Sequence, residues 1–424
     1  MRWADAGSGA LLDSEAHRAE LEVESARLLG FFEGPDGVAR FGWRDADGDI
    51  DPRRPLALYG VARLVHCFGV AHLLGHPDAG GWAEDGVRLL LDRFADADAA
   101  GFVEAIGSGG AVIASERTAY GHAFALLAGA TAGQAGIPGA RDLQRRAMTA
   151  IDALLWRDDV GAAVDAVASS GRVLERYRGQ NANMHLTEAF LAAYELDGNG
   201  EWLNRAQRLA ERLVLRPLDR YDARVPEHYT ADWQVDADYG RDTPLDPFRP
   251  YGTMPGHAVE WARLLLNVAA HTNDDGALLT AAQRLYAGAI RDGRTQIGAG
   301  LAYTVDIDGS IVSDARMHWV AAEALSATVW LARTTGEPAY ADHYSGFWKD
   351  ITTHFVDSRG GSWWHELDAQ NEPASTTWEG KPDLYHAYQA ALMARLTRPS
   401  GVAAAARDGA IRFATPTTRT ERDS

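Results

Sequence analysis

One cysteine, Cys67, stands among 424 residues, which excludes an intrachain disulfide framework and fits a reducing compartment. It lies in the apolar run ALYGVARLVHCFGVA, where a buried thiol is the expected state. No uninterrupted apolar stretch approaches the roughly 18 residues that a membrane span requires. The opening MRWADAGSGALLDSEAHRAE has no long apolar core of a secretory signal. Basic runs longer than a local pair or triplet are missing too, and the formal net charge is -18. That balance argues against nucleic acid, because binding phosphates takes clustered Lys and Arg. H-E-x-x-H, G-x-S-x-G and GxxxxGK[ST] patterns are absent, so no metal motif, nucleophile elbow or phosphate loop is read and no cofactor is expected. A soluble, cytoplasmic protein with no membrane and no nucleic-acid partner is the resulting expectation.

What the chain does have is a repeat. Six helix-like stretches recur, marked by Arg63, His122, His185, His257, Trp319 and His386, at steps of 59, 63, 72, 62 and 67 residues. This period is too long for the common solenoids but suits one helical hairpin plus a loop. Between the marked stretches lie amphipathic segments at about 14–32, 81–95, 140–156, 200–214, 275–292 and 337–356. In EWLNRAQRLAERLV, Trp202, Ala206, Leu209 and Leu213 share a stripe from which Arg205, Arg208 and Arg212 point away. GHAFALLAGA and ALSATVWLA are apolar nearly all round, as an enclosed inner wall would be. The predicted architecture is an all-α (α/α)6 barrel over residues 1–398, with six inner and six outer helices and a polar, loose tail at 399–424. Inner-to-outer links are short turns. Outer-to-inner links are long and hold brief extended stretches such as GVARFGWRD, GFVEAI, VLERYRG and GSWWHELD, read as short hairpins on one face.

Ring closure would gather His185, His257 and His386, which stand where long loops run into inner helices. Neutral histidine is the natural general base near physiological pH, and a helix N-terminus disfavours the imidazolium. His185-x-x-Glu188 and His257-x-x-Glu260 each set a carboxylate on the same helical face, where it can orient the ring. His122 follows the spacing as a weaker candidate, and His228 in the long 217–255 link is undecided. His66, His72 and His76 are read as structural. Arg63, inside an apolar run, needs an ion-pair partner or a hydroxyl-rich or anionic ligand. Arg249 and Lys381 are loop cations suited to substrate oxygens; Trp319, Trp364 and Trp378 suit the apolar face of a ligand or the core. Two loop carboxylates, from among Glu227, Glu366 and Asp383, would instead suit a glycoside hydrolase on the same barrel. A non-catalytic sugar-binding protein is the third account. Outer helices rich in Ala and Leu leave room for a homo-oligomer.

RPYGTMPGHAVEWARLLL (249–266), W-EGKPDLYHAYQA (378–390), NANMHLTEA (181–189) and the W-x-x-AEAL motif at 319–325 resemble the N-acylglucosamine 2-epimerase superfamily. The likeness runs from about residue 15 to 398. Trp261 and Arg263 within GHAVEWARLLL resemble its aldose–ketose isomerase branch, which includes mannose and sulfoquinovose isomerases. The resemblance implies an (α/α)6 barrel acting on a monosaccharide without a metal. By position it implies His386 and His257 as the proton-transferring pair, with Arg63, His185 and Glu260 binding the sugar. Asn181, Arg249, Trp319, Trp378 and Lys381 complete the expected substrate-binding set. D-mannose to D-fructose is the expected reaction, with D-lyxose to D-xylulose beside it. Sulfoquinovose isomerisation or sugar 2-epimerisation is the alternative.

Overall fold

The computed structural model describes Trp3 and residues 11–96, 99–274, 276–295 and 297–414. Six inner helices form a ring: α2 (Leu58–Leu73), α4 (Ala119–Gln134), α6 (Gln180–Asp197), α8 (Pro255–His271), α10 (His318–Thr335) and α12 (Tyr385–Met393). Each packs on the next, and α12 packs on α2. The outer layer is α1 (Glu15–Phe31), α3 (Ala79–Leu89), α5 (Ala140–Ala150), α7 (Gly200–Ala210), α9 (Ala277–Gly293) and α11 (Pro338–Asp350). The expected barrel is thus observed. Its sixth hairpin joins the two ends of the chain, because α1 packs against α12.

Burial follows the two kinds of sequence. From Pro255 to Ala269 every residue of α8 is buried, whereas α7 buries only Ala206, Leu209 and Ala210. Arg205 departs from the expected wet face: its guanidinium lies over Trp156 and Trp202 and pairs with Asp152 at 2.6 Å. Helices α3, α5, α7 and α11 each run into a five-residue π-helical turn, at 90–94, 151–155, 211–215 and 351–355. This is a repeat of backbone geometry that the residue pattern did not show.

Tying of each unit to the next is what sets the mouth of the barrel. The two residues before α2 pair antiparallel with Ala105–Ile106, and those before α4 with Ala166–Val167. Those before α6 pair with His228–Tyr229, and those before α10 with Glu366–Leu367. Thr253, just before α8, bridges to Val305. The last link closes the circle: Lys381 N–H donates to Arg44 O at 3.0 Å. The short hairpins therefore sit on one face as expected, except that Gly37–Phe41 is a 3-10 turn rather than a strand. The stretch from 399 corrects the expectation of a loose tail. Helix α13 (Val402–Arg407) buries Val402 through Ala406 against α2, α4 and α6, its small alanine side chains allowing close approach to those helices. Residues 415–424 lie outside the described residues.

Gly380 sits at the closure with φ +67°, and a Cβ there would run into Arg44 O and meet the Trp43 ring at 2.7 Å. Gly380→Ala is expected to destabilise the protein by about 2 kcal/mol, from left-handed strain plus overpacking. A lower urea midpoint checks it.

Candidate functional site

The first turns of the inner helices surround a cavity of about 150 Å³. It is lined by Arg63 from α2, Tyr120 from α4, Asn181 and His185 from α6, His257 and Glu260 from α8, Trp319 from α10 and His386 from α12. Trp378, on the loop before α12, lines it too. Eight of the ten residues expected at a site are thus brought together: Arg63, Asn181, His185, His257, Glu260, Trp319, Trp378 and His386.

Two imidazoles flank Trp319, whose ring centroid lies 5.0 Å from that of His257 and 5.9 Å from that of His386. Each has a carboxylate behind it. His257 Nδ1 lies 2.9 and 3.0 Å from the two oxygens of Glu227. His386 Nδ1 lies 3.2 Å from Glu323 Oε1. At His386 a carboxylate at that distance calls for a proton on Nδ1, which leaves Nε2 as the basic nitrogen, while His257 Nδ1 meets Gln180 Nε2 at 2.7 Å as well as the carboxylate. Both carboxylates are themselves held. Trp261 Nε1 donates to Gln180 Oε1 at 2.7 Å, and Gln180 Nε2 donates to Glu227 Oε2 at 2.7 Å. Arg263 Nε donates to Glu323 Oε2 at 2.9 Å. The Trp and Arg of GHAVEWARLLL therefore each orient the partner of one histidine.

His257 and Glu260 do not pair, which corrects the reading of His257-x-x-Glu260. Glu260 instead lies 3.8 Å from His185 Nδ1, and Glu188 lies 4.0 Å from it. Both oxygens of Glu260 and the Nδ1 of His185 are buried without a hydrogen-bond partner, as is Asn181 Oδ1. Burial, and then the neighbouring Glu323, push the Glu260 carboxyl well above the usual carboxylate range. Burial lowers His185 to about 4, so that ring is neutral. Burial would also raise Glu323, but Arg263 and the His386 hydrogen bond outweigh it and hold the carboxylate ionised. Arg63 has the ion pair that its apolar run demanded: Nη1 donates to Asp383 at 2.9 Å and Nη2 to Tyr120 Oη at 2.8 Å. It still faces the cavity, so both readings of Arg63 meet in one residue.

Arg249 and Lys381 correct the expectation of two sugar-binding cations. Arg249 lies in an adjoining cavity, makes two 2.7 Å bonds to Glu175 and stacks over Tyr177. Lys381 is wholly buried, bonded to Asp357 and Gly361 O, with its ammonium 3.8 Å from the Trp364 ring centre. Lys381 is thus closed off by its partners, and Arg249 is paired outside the cavity that the histidines line. Trp364 is accordingly a support for Lys381. His122 is structural, with Nδ1 against Thr118 O and Nε2 accepting from Phe102 N–H. His228 bonds Tyr177 and Pro250 O, away from the cavity.

Glu227, Glu323, Tyr120, Asp383 and His318 were missed as parts of this site. Glu323 carried a legible signal, a lone carboxylate inside the otherwise apolar VAAEALSATVWLA. In the sequence Glu227 and Asp383 read only as hydrolase acids. Both are taken up by positive or hydrogen-bonding partners, so neither faces the cavity as a free acid. Among the described residues, His318–His365–Asp383 and His185–Glu188–Glu260 are close enough to consider a metal ion. In the first, Asp383 already serves Arg63 and His318, and His365 Nδ1 donates to Gly380 O. In the second, Arg263 Nη2 stands 3.5 and 3.6 Å from Glu188 and Glu260, where it would repel another cation.

Gly256 leaves room for Trp319: a Cβ there would lie 2.6 Å from Cζ3 and 2.7 Å from Cη2 of that ring. Gly256→Ala is expected to displace Trp319, visible in a crystal structure of the variant. It should also cost about 1–3 kcal/mol of stability in urea unfolding.

The comparisons with known proteins agree with this geometry. The D-mannose isomerase of Thermobifida fusca is 42% identical over 379 residues, covering 88% of this chain and 93% of that one. That of Pseudomonas cannabina pv. alisalensis is 39% identical over 402 residues, covering 93% and 96%. A crystal structure of a D-mannose isomerase superposes with a TM-score of 0.82 at 29% identity, over 88% of this chain and 96% of its own. Residues 40–390 match the family described as N-acylglucosamine 2-epimerase (GlcNAc 2-epimerase), and the chain belongs to that family.

Proposed function

We propose that the protein is an aldose–ketose isomerase that converts D-mannose to D-fructose by proton transfer between two histidines and the sugar, without a metal. The observation that carries this reading is the pair of carboxylate-backed imidazoles, His257 and His386, facing one cavity across Trp319. Relatives that are 39–42% identical bear the name D-mannose isomerase, which supports the choice of sugar.

The chemistry follows from what these groups offer. The pyranose opens when a proton leaves the anomeric hydroxyl and one is given to the ring oxygen; His257 is placed to move them. The C2 proton of the open aldose is acidified by the adjacent carbonyl, and His386 Nε2 removes it. Negative charge then develops on O1, where a buried cation or N–H donor is worth more than in water. Arg63, held by Asp383 and Tyr120, supplies that cation. The O2 proton passes to O1 as His386 returns its proton to C1, and the carbonyl is left at C2. Return to the opposite face of C2 would give the 2-epimer instead.

A neutral sugar suits the surroundings better than a sulfonated one. Arg63 is committed to O1 and Arg249 is paired with Glu175, and the adjoining cavity presents Glu104, Asp165, Asp238, Asp242 and Asp246. D-Lyxose keeps the C2–C4 configuration of D-mannose and is the expected side substrate. A cytoplasmic location belongs to the same reading and rests on the single, buried cysteine. Among the described residues no helix is long and apolar enough to cross a membrane.

D-Fructose should appear from D-mannose by NMR, with a chelator having no effect. His386→Ala and His257→Ala should each lower kcat by roughly 10²–10⁴-fold. In deuterated water the ketose should carry deuterium at C1. Release of a monosaccharide from mannobiose, or loss of turnover on chelation, would overturn the proposal. Glu260→Gln, which keeps the size and polar end of this side chain at the cavity, should keep kcat/KM within about threefold, while Glu260→Ala, which removes that polar end and leaves a void, should lose far more.

A further inference from the structure

A second, smaller cavity lies behind the site, among the C-terminal halves of the inner helices. It measures about 20 Å³ and is lined by residues from every inner helix together with Ser400–Ala403 of the C-terminal segment. Six of its lining residues carry buried polar atoms that make no hydrogen bond: Arg263 Nη2, whose nearest acids Glu188 and Glu260 stand 3.5 and 3.6 Å away, together with Asn267 Oδ1, Trp330 Nε1, Ser400 Oγ, His66 Nε2 and Gln389 Nε2. Arg263 is 2%, Asn267 3%, Trp330 1% and Ser400 3% exposed, so bulk solvent does not serve them. The C-terminal segment seals the chamber. Gly401 N–H donates to Glu195 Oε1 at 2.8 Å, and Arg407 Nη1 donates to Glu195 O at 2.9 Å.

We propose that this chamber is a water site whose one or two ordered molecules complete the hydrogen bonding of Arg263 and so hold it against Glu323, the partner of His386. The space fits, since about 10–15 Å³ on this measure admits one water, and a buried water needs two to four polar partners. The chemistry of the lining selects water over an ion. Arg263 and Trp330 can only donate, Asn267 Oδ1 can only accept, and Ser400 can do either. An anion would leave Asn267 unmet beside the Glu188 carboxylate that also lines the chamber, and a cation would face Arg263. Water alone answers both kinds of group.

The consequence for catalysis runs through one residue. Arg263 Nε bonds Glu323 at 2.9 Å, and Glu323 fixes Nδ1 of His386 at 3.2 Å. Asn267 and Ser400 are therefore positioning residues, acting on the base through water, Arg263 and Glu323. This half of the inference rests on His386 being the base in the proposed isomerase; the water site itself does not.

A crystal structure of the full chain at high resolution should show water within hydrogen-bond distance of Asn267 Oδ1 and Trp330 Nε1. Asn267→Leu should expel it and lower kcat about tenfold, with KM for D-mannose changed less than twofold, as a misplaced base would. Asn267→Gln, which keeps the amide, should restore most of kcat. Ser400→Ala is the milder variant should Asn267→Leu fold poorly, and should lower kcat in the same sense. A chamber without water density, unchanged kcat in both Asn267→Leu and Ser400→Ala, or a change confined to KM overturns the proposal. Absence of any turnover of D-mannose by the unaltered protein would sink the isomerase reading while the density still decides the water site.

Discussion

Closure of the ring is the constraint on which the rest of this structure depends. Each inner helix begins from a backbone tied to the loop of the following unit, and the Lys381 N–H to Arg44 O bond joins the last unit to the first. Packing of α1 on α12 makes the same join in the outer layer. Six helix starts are thereby aimed at one mouth. Residues more than 300 positions apart, such as Arg63 and Asp383, become hydrogen-bonded neighbours only because the circle is complete.

Within that mouth, ionisable groups are buried at a density that would be costly without partners. The solution is a division of labour around two cations. Arg63 answers Asp383, while Arg263 stands among Glu188, Glu260 and Glu323, bonding the last of them. Glu323 is held below the usual carboxylate range, and Glu260, left with no close hydrogen bond, is pushed above it. The first backs His386, and the second stands near His185. Trp261 reaches the other histidine by a longer route, through Gln180 and Glu227.

Much of this was legible in the residues. The alternation of all-apolar and one-sided helices located both walls, and the spacing of the histidines located the mouth. Local rules failed where contacts cross between units. An i, i+3 spacing pointed from His257 to Glu260, yet the partner is Glu227, from the loop before the helix. Lys381 and Arg249 read as free loop cations because the acids that neutralise them, Asp357 and Glu175, lie 24 and 74 residues away. The alanine-rich stretch after 400 read as tail because nothing in it reveals that it packs on α2, α4 and α6.

The sequence by itself determined the period, the two helix types, the identity of the histidines at the helix starts and the buried arginines that require partners. These are properties of one helix or one loop, set by hydrophobic pattern and desolvation cost. Only the tertiary structure decided which carboxylate stands behind which imidazole, which cations are spent on ion pairs, and what seals the rear of the barrel. Those pairings are made across units by ring closure. They depend on distances of a few ångströms between segments whose separation along the chain carries no trace of them.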